Sequence, residues 1–226
     1  MNLDIKNIFI TGTDTGVGKS VFTSILALLL LHEGKKVCIS KPLQTGSPKD
    51  TDFLSELTGN KISIINTYSF SLPAAPFVSA EYEKKGIDIN KIISDIKNLE
   101  KEFDCVIVEG IGGVAVPIND NYLVADLIKD LNYPVIIVAR PSLGTINHSV
   151  LTIEFAKQKN LNLLGFVISG YDEALNDPTV KTAPEVISEI TKVKCLAKVT
   201  KIKKLSFEST NSLAKKFAFE EIHMLI

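Results

Sequence analysis

Short runs of β-branched and apolar residues alternate with helix-period stretches over nearly the whole chain. Strands are predicted at Ile5–Ile10, Lys36–Ser40, Cys105–Glu109, Val135–Val138 and Leu163–Ile168, with a weaker one near Lys194–Ala197. Cys105–Glu109 and Val135–Val138 are almost unbroken apolar runs, the pattern of parallel strands covered on both faces. Within Ile89–Glu102, Ile89, Ile92, Ile93, Ile96 and Leu99 recur at helical spacing. Thr182-Ala183-Pro184-Glu185 has the form of a capping box with proline in the first turn, which predicts a helix to about Ile190. A short helix is predicted over Asp52–Leu57. The run Ile25–Leu31 is apolar all round but falls far short of the ~20 residues of a membrane span, so it is read as a helix buried against the sheet. This alternation predicts an α/β fold, a mostly parallel sheet with helices on both faces.

Composition narrows the picture. With 226 residues, 45% of them apolar, a single domain spanning 1–226 is expected to bury a full core. A net charge of −1 exerts no global pull on nucleic acid or an anionic membrane, and neither is expected as a partner. Lys198, Lys201, Lys203 and Lys204 form a local basic cluster, read as a solvated loop. Cys38, Cys105 and Cys195 are odd in number and each sits in an apolar segment. They suit buried, reduced thiols of a cytoplasmic protein rather than a disulfide frame or zinc site. His32, His148 and His223 have no ligand spacing, and no secretory signal pattern is visible. The Pro-rich stretch Ser71–Pro76 reads as a loop. The last segment sets Leu213, Phe217 and Ile222 among Lys215, Lys216, Glu220 and Glu221, and is expected to pack on the body.

Candidate chemistry gathers at the predicted strand ends, where open α/β sheets bind ligands. The first strand runs into Gly12-Thr13-Asp14-Thr15-Gly16-Val17-Gly18-Lys19-Ser20 and then an apolar helical segment. Glycines let backbone N–H groups approach an anion, and the helix N-terminus adds a positive dipole. Lys19 would reach the outer phosphates of a nucleotide, and the Ser20 hydroxyl would ligate Mg²⁺. The usual spacing G-x-x-x-x-G-K-[ST] asks for glycine where this chain has Thr13, with Gly12 one residue earlier. After the second strand, Lys41-Pro42-Leu43-Gln44-Thr45-Gly46 offers an ammonium to the same crevice. Asp52 reads either as a helix cap or as a Mg²⁺-side carboxylate. Glu109, followed by Gly110-Ile111-Gly112-Gly113, stands where phosphate-loop proteins keep a metal-binding acid. Gly144 and Thr145 either begin a helix or leave N–H groups free for a carboxylate. His148 reads as a packed or capping residue.

Taken together, GTDTGVGKS, KPLQTGS, VEGIGG followed by VPI, and LGTINH resemble the dethiobiotin synthetase family, in that family's order from about Ile8 to Ser169. The resemblance implies a homodimeric, P-loop NTPase-like protein with a parallel sheet of about seven strands. It also implies a ligase using ATP and Mg²⁺ to close the ureido ring of 7,8-diaminopelargonate with CO₂ or bicarbonate, in biotin synthesis. The route passes through a carbamate and a carbamic-phosphoric anhydride. Carried over by position, Lys19 and Lys41 are the catalytic lysines. Gly16, Val17, Gly18, Lys19, Ser20 and Val21 cradle the nucleotide, with Asp52, Glu109, Gly110, Ile111, Gly112, Ser169 and Gly170 as further contacts. Ser20, Asp52 and Glu109 are the Mg²⁺ side. Thr45 contacts substrate, and Gly144, Thr145, Ile146 and Asn147 take its carboxylate across the dimer interface. Many members carry Asn-Asp where this chain has Ser169-Gly170, and here Thr200-Lys201-Ile202 follows later. A hydroxyl reads a base edge less fully than an amide, so relaxed base selectivity is expected. Gly16 is assigned no side-chain role.

Three rivals remain at this level. An ATP-dependent amidation enzyme would be expected to bring a glutaminase domain. A partitioning or division-site ATPase carries lysine where this chain has Asp14. A nucleotide-binding carrier would leave Lys41 and Thr45 without a purpose.

Overall fold

The computed structural model describes residues 6–217, apart from 173 and 176. In chain order the elements are β1 (Asn7–Gly12), α1 (Lys19–His32), β2 (Val37–Ser40), β3 (Leu43–Thr45), α2 (Asp50–Thr58), β4 (Ser63–Ile65) and β5 (Tyr68–Phe70). They continue with α3 (Pro76–Glu83), α4 (Ile89–Leu99), β6 (Cys105–Gly113), β7 (Pro117–Asn119), β8 (Tyr122–Leu123) and α5 (Val124–Leu131). The last are β9 (Val135–Ala139), α6 (Thr145–Gln158), β10 (Leu163–Tyr171), α7 (Pro178–Thr191), β11 (Cys195–Thr200) and α8 (Phe207–Phe217).

Seven strands form one sheet in the order β11-β10-β9-β1-β6-β2-β4, and every neighbouring pair in it is parallel. The pairs β3–β5 and β7–β8 are small separate ladders. Alternate residues of β6 enter opposite cores: Val106 and Val108 on one face, Cys105 and Ile107 on the other. Helix α1 is buried from Phe22 to Leu30 because the sheet covers one side and α2 and α8 pack on the other. Each such leucine or isoleucine contributes about 1.5–3 kcal/mol by leaving water. On α4, Ile92 and Ile96 are the buried stripe, as the spacing predicts.

The strand register places the chemistry. In the β1–β6 ladder Ile10 lies opposite Glu109, and in the β2–β6 ladder Ser40 lies opposite Val108. Lys41, the next residue, therefore arrives level with Glu109. Because β6 lies between β1 and β2, the phosphate loop, Glu109 and Lys41 emerge side by side at one edge of the sheet.

Some expectations are corrected. Helix α7 begins at Pro178, where Asp177 caps it by accepting from the Thr179 N–H at 2.8 Å. Pro184 therefore lies inside the helix rather than in its first turn, and the Thr182 hydroxyl donates back to the Pro178 carbonyl at 2.8 Å. Helix α2 begins at Asp50, two residues before the expected start. Strands β6 and β10 run on past their expected ends, to Gly113 and Tyr171. Cys38 and Cys105 are buried, and burial pushes both thiols up to about 12; Cys195 is only partly covered. Among the described residues no helix is long and apolar enough to cross a membrane. Ile5, the expected start of the first strand, lies outside the described residues, as do Glu220, Glu221, Ile222 and His223.

Candidate functional site

A cavity of about 940 Å³ opens at the carboxyl ends of the central strands. Its floor is the turn between β1 and α1. Gly18 caps α1 at φ +96°, in the left-handed region, and a Cβ there would stand 2.3 Å from the Ser169 Oγ. Only glycine meets both conditions at this point. The cap has no side-chain hydrogen bond, so the first N–H groups of α1 remain available to an anion.

Two buried lysines enter from different elements, Lys19 at the start of α1 and Lys41 just after β2. Lys19 donates to the Asp14 carbonyl at 2.9 Å. Burial, with the Lys41 ammonium nearby, brings its own ammonium down to about 8. Lys41 is 2% exposed and pairs with Asp50 Oδ2 at 2.8 Å and Glu109 Oε1 at 2.9 Å. It also donates to the Gly110 carbonyl at 3.0 Å. Burial opposes a charge on Lys41, yet Glu109 and Asp50 more than offset it and hold its pKa above the ordinary lysine value. Lys41 is therefore a fixed ammonium.

Its backbone is fixed too. The Lys41 N–H donates to the Ile65 carbonyl at 2.8 Å, and Asn66 Nδ2 donates to the Lys41 carbonyl at 2.7 Å. Gln44 Oε1 accepts the Thr51 N–H at 3.1 Å, tying the first turn of α2 to β3. That tie sets Asp50 against Lys41.

Glu109 is completely buried and accepts from the Ser20 hydroxyl at 2.8 Å through Oε1. Its other oxygen, Oε2, is buried without a hydrogen-bond partner among the described residues. An orphaned carboxylate oxygen beside a hydroxyl and a second carboxylate suits a hard divalent cation. Ser20, Glu109 and Asp50 fit Mg²⁺. Among the described residues no three His, Cys, Asp or Glu side chains form a metal cluster, so Mg²⁺ here would draw its other ligands from phosphates and water.

Most of the expected site residues converge. Gly16, Val17, Gly18, Lys19, Ser20, Val21, Lys41, Thr45, Glu109, Ile111, Gly112, Ser169 and Gly170 all line the cavity, and Gly110 supplies its carbonyl to Lys41. Asp52 does not: it is exposed, and Asp50 occupies the place expected for it. The helix turn is the cause. Two residues advance about 200° around the axis, so when Asp50 faces Lys41, Asp52 faces solvent. Gly144, Thr145, Ile146 and Asn147 begin α6, and within one chain none of them lines the cavity. Gly144 and Asn147 are exposed, while Thr145 is buried with its hydroxyl unpartnered among the described residues. His148 takes the neighbouring role expected of a packed residue, with its Nδ1 3.4 Å from Arg140 Nη2.

Sequence reasoning missed Asp50, Gln44 and Arg140. The loop Pro73-Ala74-Ala75 also lines the cavity, a contribution its composition did not signal. At the other end the lining residues are Pro141, Ser169, Gly170, Thr200, Lys201 and Ile202, with no amide side chain among them. Lys198 pairs with Glu185 at 3.5 Å, and Lys203 and Lys204 are exposed, so the basic cluster is largely a solvated surface.

A family model described as an AAA domain matches residues 6–209. The ATP-dependent dethiobiotin synthetase of Thermodesulfovibrio yellowstonii is 36% identical, covering 95% of this chain and 97% of that protein. The enzyme of the same name from Methanococcus vannielii is 39% identical, covering 84% and 90%. Among solved structures, the septum site-determining protein MinD from Pyrococcus horikoshii, complexed with Mg-ADP, superposes with a TM-score of 0.61 at 17% identity, covering 94% of this chain and 96% of that one. A ParA family ATPase from Chlorobium tepidum gives a TM-score of 0.58 at 14% identity. At such identities these neighbours speak for the fold alone, the parallel P-loop sheet already described.

Proposed function

The chain belongs to the ATP-dependent dethiobiotin synthetase family, a family of ligases in biotin synthesis, and on that premise we propose that it carboxylates and cyclises 7,8-diaminopelargonate with CO₂, forming dethiobiotin, ADP and phosphate. The observation that carries this reading is Lys41, a permanent ammonium buried between two carboxylates and delivered by a different strand from the phosphate loop. A nucleotide-binding module has no need of it.

The chemistry suits these residue types. One amine of the substrate captures CO₂ as a carbamate and releases a proton. A carbamate oxygen attacks the γ-phosphorus of ATP, the bond to the β-phosphate oxygen breaks, and ADP leaves. The neighbouring amine then attacks the carbonyl carbon of the mixed anhydride and gives up a proton, phosphate departs with the bonding pair, and the five-membered urea closes. Every step gathers negative charge, and no side-chain nucleophile is required. Lys19 and Lys41 stand as preorganised cations beside that charge, and their burial strengthens them. The N–H groups opening α1 cradle the phosphates. Ser20, Glu109 and Asp50 would hold Mg²⁺, which as a Lewis acid spreads the charge of the transferred phosphoryl group.

The remaining binding roles belong to this reading. Thr45 faces the substrate amines, and Ser169 and Gly170 lie against the base. The start of α6 takes the substrate carboxylate in a homodimer. Leu143, just before α6, is 85% exposed and Leu151, within it, 63%, which suits a face covered in a dimer.

The test is phosphate release in the presence of ATP, Mg²⁺, diaminopelargonate and bicarbonate. Lys19→Ala and Lys41→Ala are each expected to lower it by about a hundredfold or more, the scale of losing one fixed transition-state charge, at a temperature where circular dichroism shows each variant still folded. Near-normal turnover by Lys41→Ala refutes the reading.

A further inference from the structure

Of the 25 basic side chains in this sequence, 24 are lysine and one is arginine, Arg140. That arginine lines the phosphate cavity. It follows the last residue of β9, the strand hydrogen-bonded to β1 on the side away from β6. There it stands between the phosphate loop and the start of α6.

We infer that Arg140 is a positioning residue that grips an oxyanion entering this cavity, using the planar two-pronged geometry that lysine lacks. The inference rests on the ligase reading above, since it presumes anionic ligands in this cavity.

Three observations converge on it. First, its side-chain partners among the described residues are weak. Nη2 lies 3.8 Å from Asp14 Oδ2, with the two side chains 39% and 52% exposed, and 3.4 Å from His148 Nδ1. Neither is a short charged hydrogen bond, and exposed ion pairs contribute little to stability. Second, Nε is buried with no hydrogen-bond partner among the described residues. A buried donor left unsatisfied is costly, and an oxyanion bridging Nε and Nη2 would satisfy it in the usual side-on geometry. Third, the chemistry distinguishes the residue types. A lysine is a compact point charge, whereas a guanidinium matches phosphate and carboxylate with paired parallel donors. This chain uses lysine at every other basic position, Lys19 and Lys41 of the same cavity included, and arginine only here.

That shared chemistry has two sources here, a phosphate of the nucleotide and the carboxylate of the diamine substrate. Calorimetric titration of the full chain and of Arg140→Gln and Arg140→Lys separates them, with ATP in one arm and diaminopelargonate in the other, and with ligand-free melting as a control. In Arg140→Gln the affinity for one of the two is expected to fall by about tenfold, the usual loss for a charged hydrogen-bonded pair. Arg140→Lys should recover little of it, and ligand-free melting should stay as in the parent. A fall in the ATP arm assigns the phosphate, and a fall in the diamine arm assigns the carboxylate. Affinities within twofold of the parent in both arms would overturn the inference. Full rescue by lysine overturns it as well, because a point charge then suffices. A parent chain that binds neither ligand instead sinks the ligase reading beneath it.

Discussion

Lys41 and Glu109 are 2% and 0% exposed, so each charge is balanced by the other rather than by water. Removing one member of such a pair leaves the other buried and uncompensated, which typically costs about 3–5 kcal/mol. Asp50 remains beside Lys41 at 2.8 Å and moderates the loss. Glu109→Gln keeps the shape and is therefore expected to destabilise the fold by about 3 kcal/mol, read as a lower urea midpoint, and to abolish Mg²⁺-dependent turnover. A variant of unchanged stability contradicts the paired description. At this scale Lys41 and Glu109 were legible because each closes an apolar strand run that points at the crevice, and Lys19 and Ser20 because the glycine-rich turn after β1 delivers them at the start of α1. Arg140 also follows a strand directly. Its signal was its singularity among lysines, which spacing rules do not weigh.

The elements divide by how their ends are specified. A buried strand announces itself by a continuous apolar run, and its last residue is fixed by register with its neighbours, so Lys41 and Glu109 arrive level. A helix start has only a local grammar, and two competing signals can share it. Asp177-Pro178 and Thr182-Ala183-Pro184-Glu185 both read as cap followed by proline, and packing selects the earlier one. The same ambiguity separates Asp50 from Asp52. Nothing in the local sequence says which faces inward; the choice is made by Gln44 anchoring Thr51 and by Lys41 needing a second carboxylate. Asp50→Asn is accordingly expected to weaken Mg²⁺-dependent turnover by about tenfold or more, as loss of a charged ligand should, whereas Asp52→Asn stays near the parent. A Mg²⁺ titration of turnover in both variants checks this. Equal effects contradict the helix phase.

On the scale of the whole molecule, the alternation of strands and helices predicted the architecture, but not the strand order. That order depends on contacts between distant segments, above all β6 inserting between β1 and β2. The fold by itself does not choose a function, since MinD and ParA neighbours share it. The choice lies in what the strand ends carry. Asp14 stands on the loop instead of lysine, and Lys41, Asp50 and Glu109 gather beside it. Ring carboxylation is measured most directly by supplying ATP, Mg²⁺, diaminopelargonate and isotope-labelled bicarbonate, and following both ADP and the labelled carbon by mass spectrometry. One labelled carbon in the cyclic urea of dethiobiotin is expected for each ADP released, and no ADP when either the diamine or bicarbonate is withheld. ADP release that is indifferent to the diamine, with no label in a ring product, contradicts it.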